Sequence, residues 1–169
     1  IEVIYMADIP MSSAGIGLAS SSALAVGVLN ALHAFKGEFV TPKQLAREAC
    51  FIEIEKLGQR IGIQDQYAVA HGGLNRYRFM NDGTVSVTPG IIDTKTRERL
   101  IGKLMLFYTG NTRDSRKILS EQSDSIESKR KSLDDLVATV DSVCEKLANG
   151  DIDCVGSELD RTWMIKKQL

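Results

Sequence analysis

Along residues 20–36 the apolar positions Leu24, Val28, Leu29, Leu32 and Phe35 recur at helical spacing behind three serines. That spacing predicts a packed helix whose start a serine can cap. Thr41 and Pro42 followed by KQLAREACFIEIEKLG predict a second helix, with threonine as N-cap, proline at the first helical position and an end near Gly58. After the connection GQRIGI, DQYAVAHGG reads as a helical turn or two broken by Gly72 and Gly73. LNRYRF and TVSVTPG, on either side of NDG, read as a hairpin.

The run KLMLFYTG is expected to be a buried strand, and NTRDSRKILSEQ to begin a further helix. Residues 129–147 place Leu133, Leu136, Val137, Val140, Val143, Cys144 and Leu147 on one apolar helical face that Gly150 stops, and a last helix starts after Asp151. The opening phrase IEVIYMADIP suits a strand running into a loop at Pro10. Strands alternating with helices predict an α/β or α+β architecture.

Composition changes this picture little: 169 residues, 43% hydrophobic and 25% charged, suit one full domain or parts of two smaller ones in an ordinary globular protein. Charge excludes more. A net charge of -1 supplies no global positive field for a nucleic acid or an anionic membrane, and neither partner is expected. Cys50, Cys144 and Cys154 are odd in number and dispersed, which suggests neither a disulfide framework nor a zinc site and fits a reducing cytoplasm. No apolar run approaches the length of a membrane span.

The chemistry concentrates in PMSSAGIGLASSSA, residues 10–23, where Gly15 and Gly17 precede Ser20, Ser21 and Ser22 and the first helix. Glycines let backbone amides approach a ligand, and a helix start offers unpaired amides with partial positive charge, which suits a phosphate. The serine hydroxyls can either cap those amides or bond to phosphate oxygens and Mg²⁺, and the residues alone leave both uses open. The stretch is neither a Walker A loop, since no GK[ST] follows, nor a GxGxxG dinucleotide loop.

As a whole, PMSSAGIGLASSSA resembles the phosphate loop of the GHMP kinases, with Ala19 standing where that loop usually has a glycine. A second phrase, EIEKLGQRIGIQDQ, is similar to that family's second conserved region, in the form found in galactokinases and heptose kinases. With LMLFYTGNTRDSRKIL as a third, the resemblance covers nearly the whole chain and points to the branch acting on heptose 7-phosphate, with fucokinase-like kinases as the alternative.

The resemblance implies an α+β GHMP kinase fold. Residues 1–90 would form a ribosomal protein S5 domain 2-like ATP-binding part, and residues 91–169 the start of a ferredoxin-like part, both incomplete. It implies ATP and Mg²⁺ as cofactors and transfer of the γ-phosphate to a sugar phosphate's anomeric hydroxyl. The nucleotide phosphates would lie against Ser13, Ala14, Gly15, Ile16, Gly17, Leu18, Ala19, Ser20, Ser21 and Ser22. Ser21 and Glu53 would hold the metal, with Glu55 as the substitute for Glu53, and Asp65 would be the catalytic base.

Arg113, and with it Arg116, could meet a substrate phosphate, since a guanidinium matches phosphate oxygens; His71 is expected to serve structure. The family's early GGGTD-like segment and closing glycine-rich phrase do not occur in residues 1–169. The chain is therefore expected to be a central portion with little turnover alone, its unpaired sheet edges allowing self-association into a homo-oligomer. A noncatalytic nucleotide-binding module is the reading from another class.

Overall fold

The computed structural model describes residues 18–107 and 126–167. They fall into two compact units, one holding residues 18–72 and the other residues 73–107 and 126–167.

In the first unit, α1 (Ser20–Phe35) and α2 (Pro42–Cys50) are joined by a short connection, and α2 passes into a π-helical turn, Phe51–Lys56. Thr41 caps α2 as expected, its side chain accepting from the Gln44 amide at 3.2 Å with Pro42 in the first turn. The predicted single helix to Gly58 thus ends near the expected place but changes pitch on the way. The Leu57 amide bonds to the Ile52 carbonyl at 2.9 Å, five residues back, and Gly58 at φ 64 turns the chain out. Then α3 (Gln64–His71) packs on both α1 and α2.

Small residues set this core. Val26, Leu45 and Ala49 are buried, with Ala25, Leu29, Val40, Val69 and Ala70 against them. The face of α1 turned inward is therefore Ser22, Ala25, Val26 and Leu29, at helical spacing. Phe35, expected on the packed stripe, is 74% exposed, because the inward side of α1 runs through Ser22, Val26 and Leu29 and Phe35 falls off that line.

In the second unit, β1 (Asn75–Phe79) and β2 (Val85–Pro89) pair antiparallel, Asn75 opposite Pro89 and Phe79 opposite Val85. The NDG turn is fixed as expected: Asp82 accepts from the Thr84 amide at 2.8 Å, and Gly83 adopts φ 79. The helices are α4 (Thr94–Ile101), α5 (Ile126–Ala148) and α6 (Cys154–Lys166). The helix α4 was not anticipated. Asp93 starts it by accepting from the Thr96 amide at 2.9 Å.

Leu100, Leu147, Ile152 and Cys154 form this unit's core with Ile91, Ile92, Val143 and Val155. Arg76 of β1 pairs with Asp141 of α5. Of the face expected on α5, Leu147 and Val143 pack inward while Leu133, Val137 and Val140 stay exposed, because the core partners gather at the helix's C-terminal end.

Residues 103–107 correct the expectation of a buried strand: they form no strand, and Leu106 is 81% exposed. Apolar character makes a strand only where another strand supplies hydrogen bonds, and among the described residues none pairs with this run. The remainder of that run, the helix expected from residue 111 and the first strand lie outside the described residues. The described fold is mainly helical with a two-stranded sheet, an α+β arrangement. Among the described residues no helix is long and apolar enough to cross a membrane.

Candidate functional site

The start of α1 has an uncommon entry. Ala19 occupies the N-cap position at φ 52 and ψ 29, in the left-handed region, and is the described non-glycine residue with positive φ. That conformation costs an alanine about 1–2 kcal/mol, and it falls where the resembling loops carry glycine. An alanine has no side-chain acceptor, so the first-turn amides of α1 receive no side-chain cap, and no acidic residue sits among them. Among the described residues, therefore, no side chain caps the start of this 16-residue helix, which presents its amides and the positive end of its dipole.

The serines, left by sequence between two uses, do something else. The Ser21 hydroxyl donates to Glu53 Oε1 at 2.8 Å, and the Ser22 hydroxyl donates to Glu53 Oε2 at 2.9 Å. Gln66 Nε2 donates to Glu53 Oε2 at 2.6 Å. Glu53 is 4% exposed, Ser22 2% and Gln66 0%. A buried carboxylate is stable only when hydrogen-bonded or paired, and three donors from α1 and α3 meet that need.

The π-helical turn carries Glu53, α1 carries the serines and α3 carries Gln66, so three elements converge on one carboxylate. Gln66 Oε1 is buried without a hydrogen-bond partner, a loss of about 1–3 kcal/mol in a cluster otherwise satisfied. Nearby, Cys50 has its thiol pushed up to about 11 by burial and then by the Glu53 charge, so at neutral pH it stays protonated.

Among the described residues no three His, Cys, Asp or Glu side chains gather to hold a metal. A Mg²⁺ site needs fewer, one or two carboxylates with phosphate and water oxygens completing the shell. Metal–oxygen bonds of about 2.0–2.1 Å in an octahedron set neighbouring ligand oxygens about 2.9 Å apart. The 2.8 Å between Ser21 Oγ and Glu53 Oε1 matches that edge, so this hydroxyl and carboxylate fit a common Mg²⁺.

Of the other residues singled out from sequence, Asp65 is exposed in the first turn of α3, directly before Gln66, with no hydrogen bond to a described residue. Ile63, not Asp65, takes the N-cap position of α3. Glu55 is exposed and stands apart from the cluster. His71 stacks on Tyr67, ring centroids 6.3 Å apart. Leu18 is exposed, and Ser20 begins α1. Ser13, Ala14, Gly15, Ile16 and Gly17, and also Arg113 and Arg116, lie outside the described residues.

Sequence reasoning missed Gln66, although a signal was there: it precedes Val69 and Ala70 by three and four residues, which places it on the buried face of α3.

The family described as GHMP kinases N terminal domain matches residues 1–73. The D-glycero-alpha-D-manno-heptose 7-phosphate kinase of Campylobacter jejuni subsp. jejuni serotype O:2 is 31% identical over 163 residues, 95% of this chain and 47% of that protein. The chain thus spans about half the length of that curated relative. No solved structure matches. The serines, Glu53 and Gln66 all lie within residues 1–73, the stretch that matches the GHMP kinases N terminal domain.

Proposed function

We propose that the chain carries the nucleotide-binding and catalytic portion of an ATP-dependent sugar-phosphate kinase, with the anomeric hydroxyl of D-glycero-D-manno-heptose 7-phosphate as acceptor. The observation that carries the reading is the pair of serine hydroxyls turned onto a buried carboxylate at the uncapped start of α1. A structural cap would have used the serines on their own helix; here the amides remain available for phosphate oxygens. The name of the 31% identical relative supports the acceptor.

In this reading residues 13–22 wrap the ATP phosphates, and Ser21 and Glu53 hold Mg²⁺. The metal supplies charge neutralisation on the phosphate oxygens. Asp65 takes the proton of the acceptor hydroxyl as its oxygen bonds to the γ-phosphorus and the bond to the β–γ bridging oxygen breaks. Asp65 is exposed, so the acceptor can reach it, and its neighbour Gln66 ties that turn of α3 to Glu53. Arg113 is assigned to the substrate's own phosphate. In the same reading residues 91–169 begin the second, ferredoxin-like domain.

Calorimetric titration with Mg·ATP, followed by ADP release over a panel of sugars and sugar phosphates, tests the reading. The expected result is nucleotide binding by the chain that Asp65→Asn leaves within about twofold, since a base contributes to transfer and little to ground-state binding. Absence of nucleotide binding by the wild-type chain overturns the reading. Nucleotide binding by the chain without transfer to any sugar by the full-length protein favours the noncatalytic module.

A further inference from the structure

The hydrogen bonds to Glu53 divide unequally between its two oxygens. Oε1 accepts from Ser21, whereas Oε2 accepts from both Ser22 and Gln66. A carboxylate offers about two acceptor positions per oxygen. Oε2 is therefore full, and Oε1 retains one position. The Gln66 amide cannot turn over to serve its own stranded oxygen, because that would set an acceptor against Glu53 Oε2. Burial holds it there, since Gln66 is fully enclosed.

This asymmetry bears on which cation the site accepts. Mg²⁺ demands a near-ideal octahedron, while Ca²⁺ takes more oxygens in looser geometry and accepts a carboxylate through both. We propose that Gln66 is a specificity-determining positioning residue: by filling Glu53 Oε2 it leaves Oε1 alone for the metal, and so favours Mg²⁺ over Ca²⁺. The inference rests on the reading of Ser21 and Glu53 as metal ligands. It adds a role for a residue that does not itself touch the metal.

The test uses Mn²⁺ as probe on the purified chain, with free Mn²⁺ followed by electron paramagnetic resonance and displaced by Mg²⁺ or by Ca²⁺. Replacing Gln66 by methionine, of similar length and without a donor, is expected to shift the Mg²⁺-to-Ca²⁺ preference toward Ca²⁺ by about tenfold. Ser21→Ala is expected to weaken both ions together, leaving their ratio within about twofold. Should Gln66→Met fail to fold by circular dichroism, Ser22→Ala opens the other position on Oε2 and is expected to shift the ratio in the same direction. An unchanged ratio in the folded variant, with Mn²⁺ bound by the wild type, overturns the role of Gln66 alone. A wild-type chain that binds no Mn²⁺ overturns the metal-ligand reading and this inference with it.

Discussion

Helix α1 carries a hydrogen-bonded carboxylate cluster towards each end, and the two differ in burial and in the charge of the carboxylates' partners. At its start, Glu53 sits 4% exposed among Ser21, Ser22 and Gln66. At its far end, His33 Nδ1 meets Glu38 and His33 Nε2 meets Glu48, each at 2.7 Å, while Lys36 joins Glu38 at 2.6 Å. In the second cluster every charge has a partner of opposite sign and water close by, which is how a helix and a connection are tied together. Among the described residues the first offers its carboxylate only neutral donors, and leaves one acceptor position open beside helix-start amides that no described side chain caps. In the proposed function a cation takes the acceptor position left on Glu53 Oε1, whereas in the other cluster His33 and Lys36 already pair the carboxylates.

The largest expected effect separates the two directly. Glu53→Leu removes the acceptor shared by three donors and strands Gln66 and Ser22 in the interior, at a cost of about 3 kcal/mol or more. Urea unfolding followed by circular dichroism measures it. A loss below about 1 kcal/mol would mean that the cluster is not the buried network described. Next in size is Ala19→Gly, which relieves the left-handed alanine at the entry to α1. It is expected to stabilise the chain by about 1 kcal/mol, visible as a raised Tm. An unchanged or lowered Tm would show that Ala19 bears no strain.

The smallest effect concerns His33, and its sign follows from its partners. Hydrogen bonds to Glu48 and then Glu38 raise its pKa above the ordinary 6.5, so the stability it adds is fully present below 6.5 and fades as pH rises through the raised value. Glu48, held below its ordinary 4.5 by His33 and Gln44, contributes above 4.5 and loses its part as pH falls through the lowered value. The Tm difference between wild type and His33→Gln should therefore be largest near pH 5.5 and shrink by pH 8.5, within a window set by those two directions. A difference that grows with pH would reverse the assignment.

Local signals made much of the fold legible. Thr41 and Pro42 announced α2, and NDG announced the hairpin, because caps and turns act within a few residues. What depended on partners distant in sequence was not legible. The large residues of α1 suggested a packed stripe to Phe35, yet the close approach of helices there is made by Ser22, Ala25, Ala49 and Ala70. The run at residues 103–107 looked like a core strand by composition alone. Helix α4 escaped because TKTRERLI is almost wholly polar, although Asp93 and Thr96 spell its cap.

In the candidate site, the resemblance pointed to Ser21 and Glu53, which the fold brings to 2.8 Å across 32 residues of sequence. It gave no hint of Gln66. A glutamine beside a conspicuous aspartate draws no attention until the buried face of its helix is known.

The two clusters of α1 come to one decisive comparison, Mg·ATP binding by calorimetry to the wild-type chain, Glu53→Gln and His33→Gln, each with and without EDTA. If the start of α1 is the cation and phosphate site, Glu53→Gln lowers Mg·ATP affinity by about tenfold or more and removes its dependence on EDTA, while His33→Gln stays within about twofold. Equal losses in the two variants, or wild-type binding indifferent to EDTA, would contradict the assignment of Glu53 to the metal.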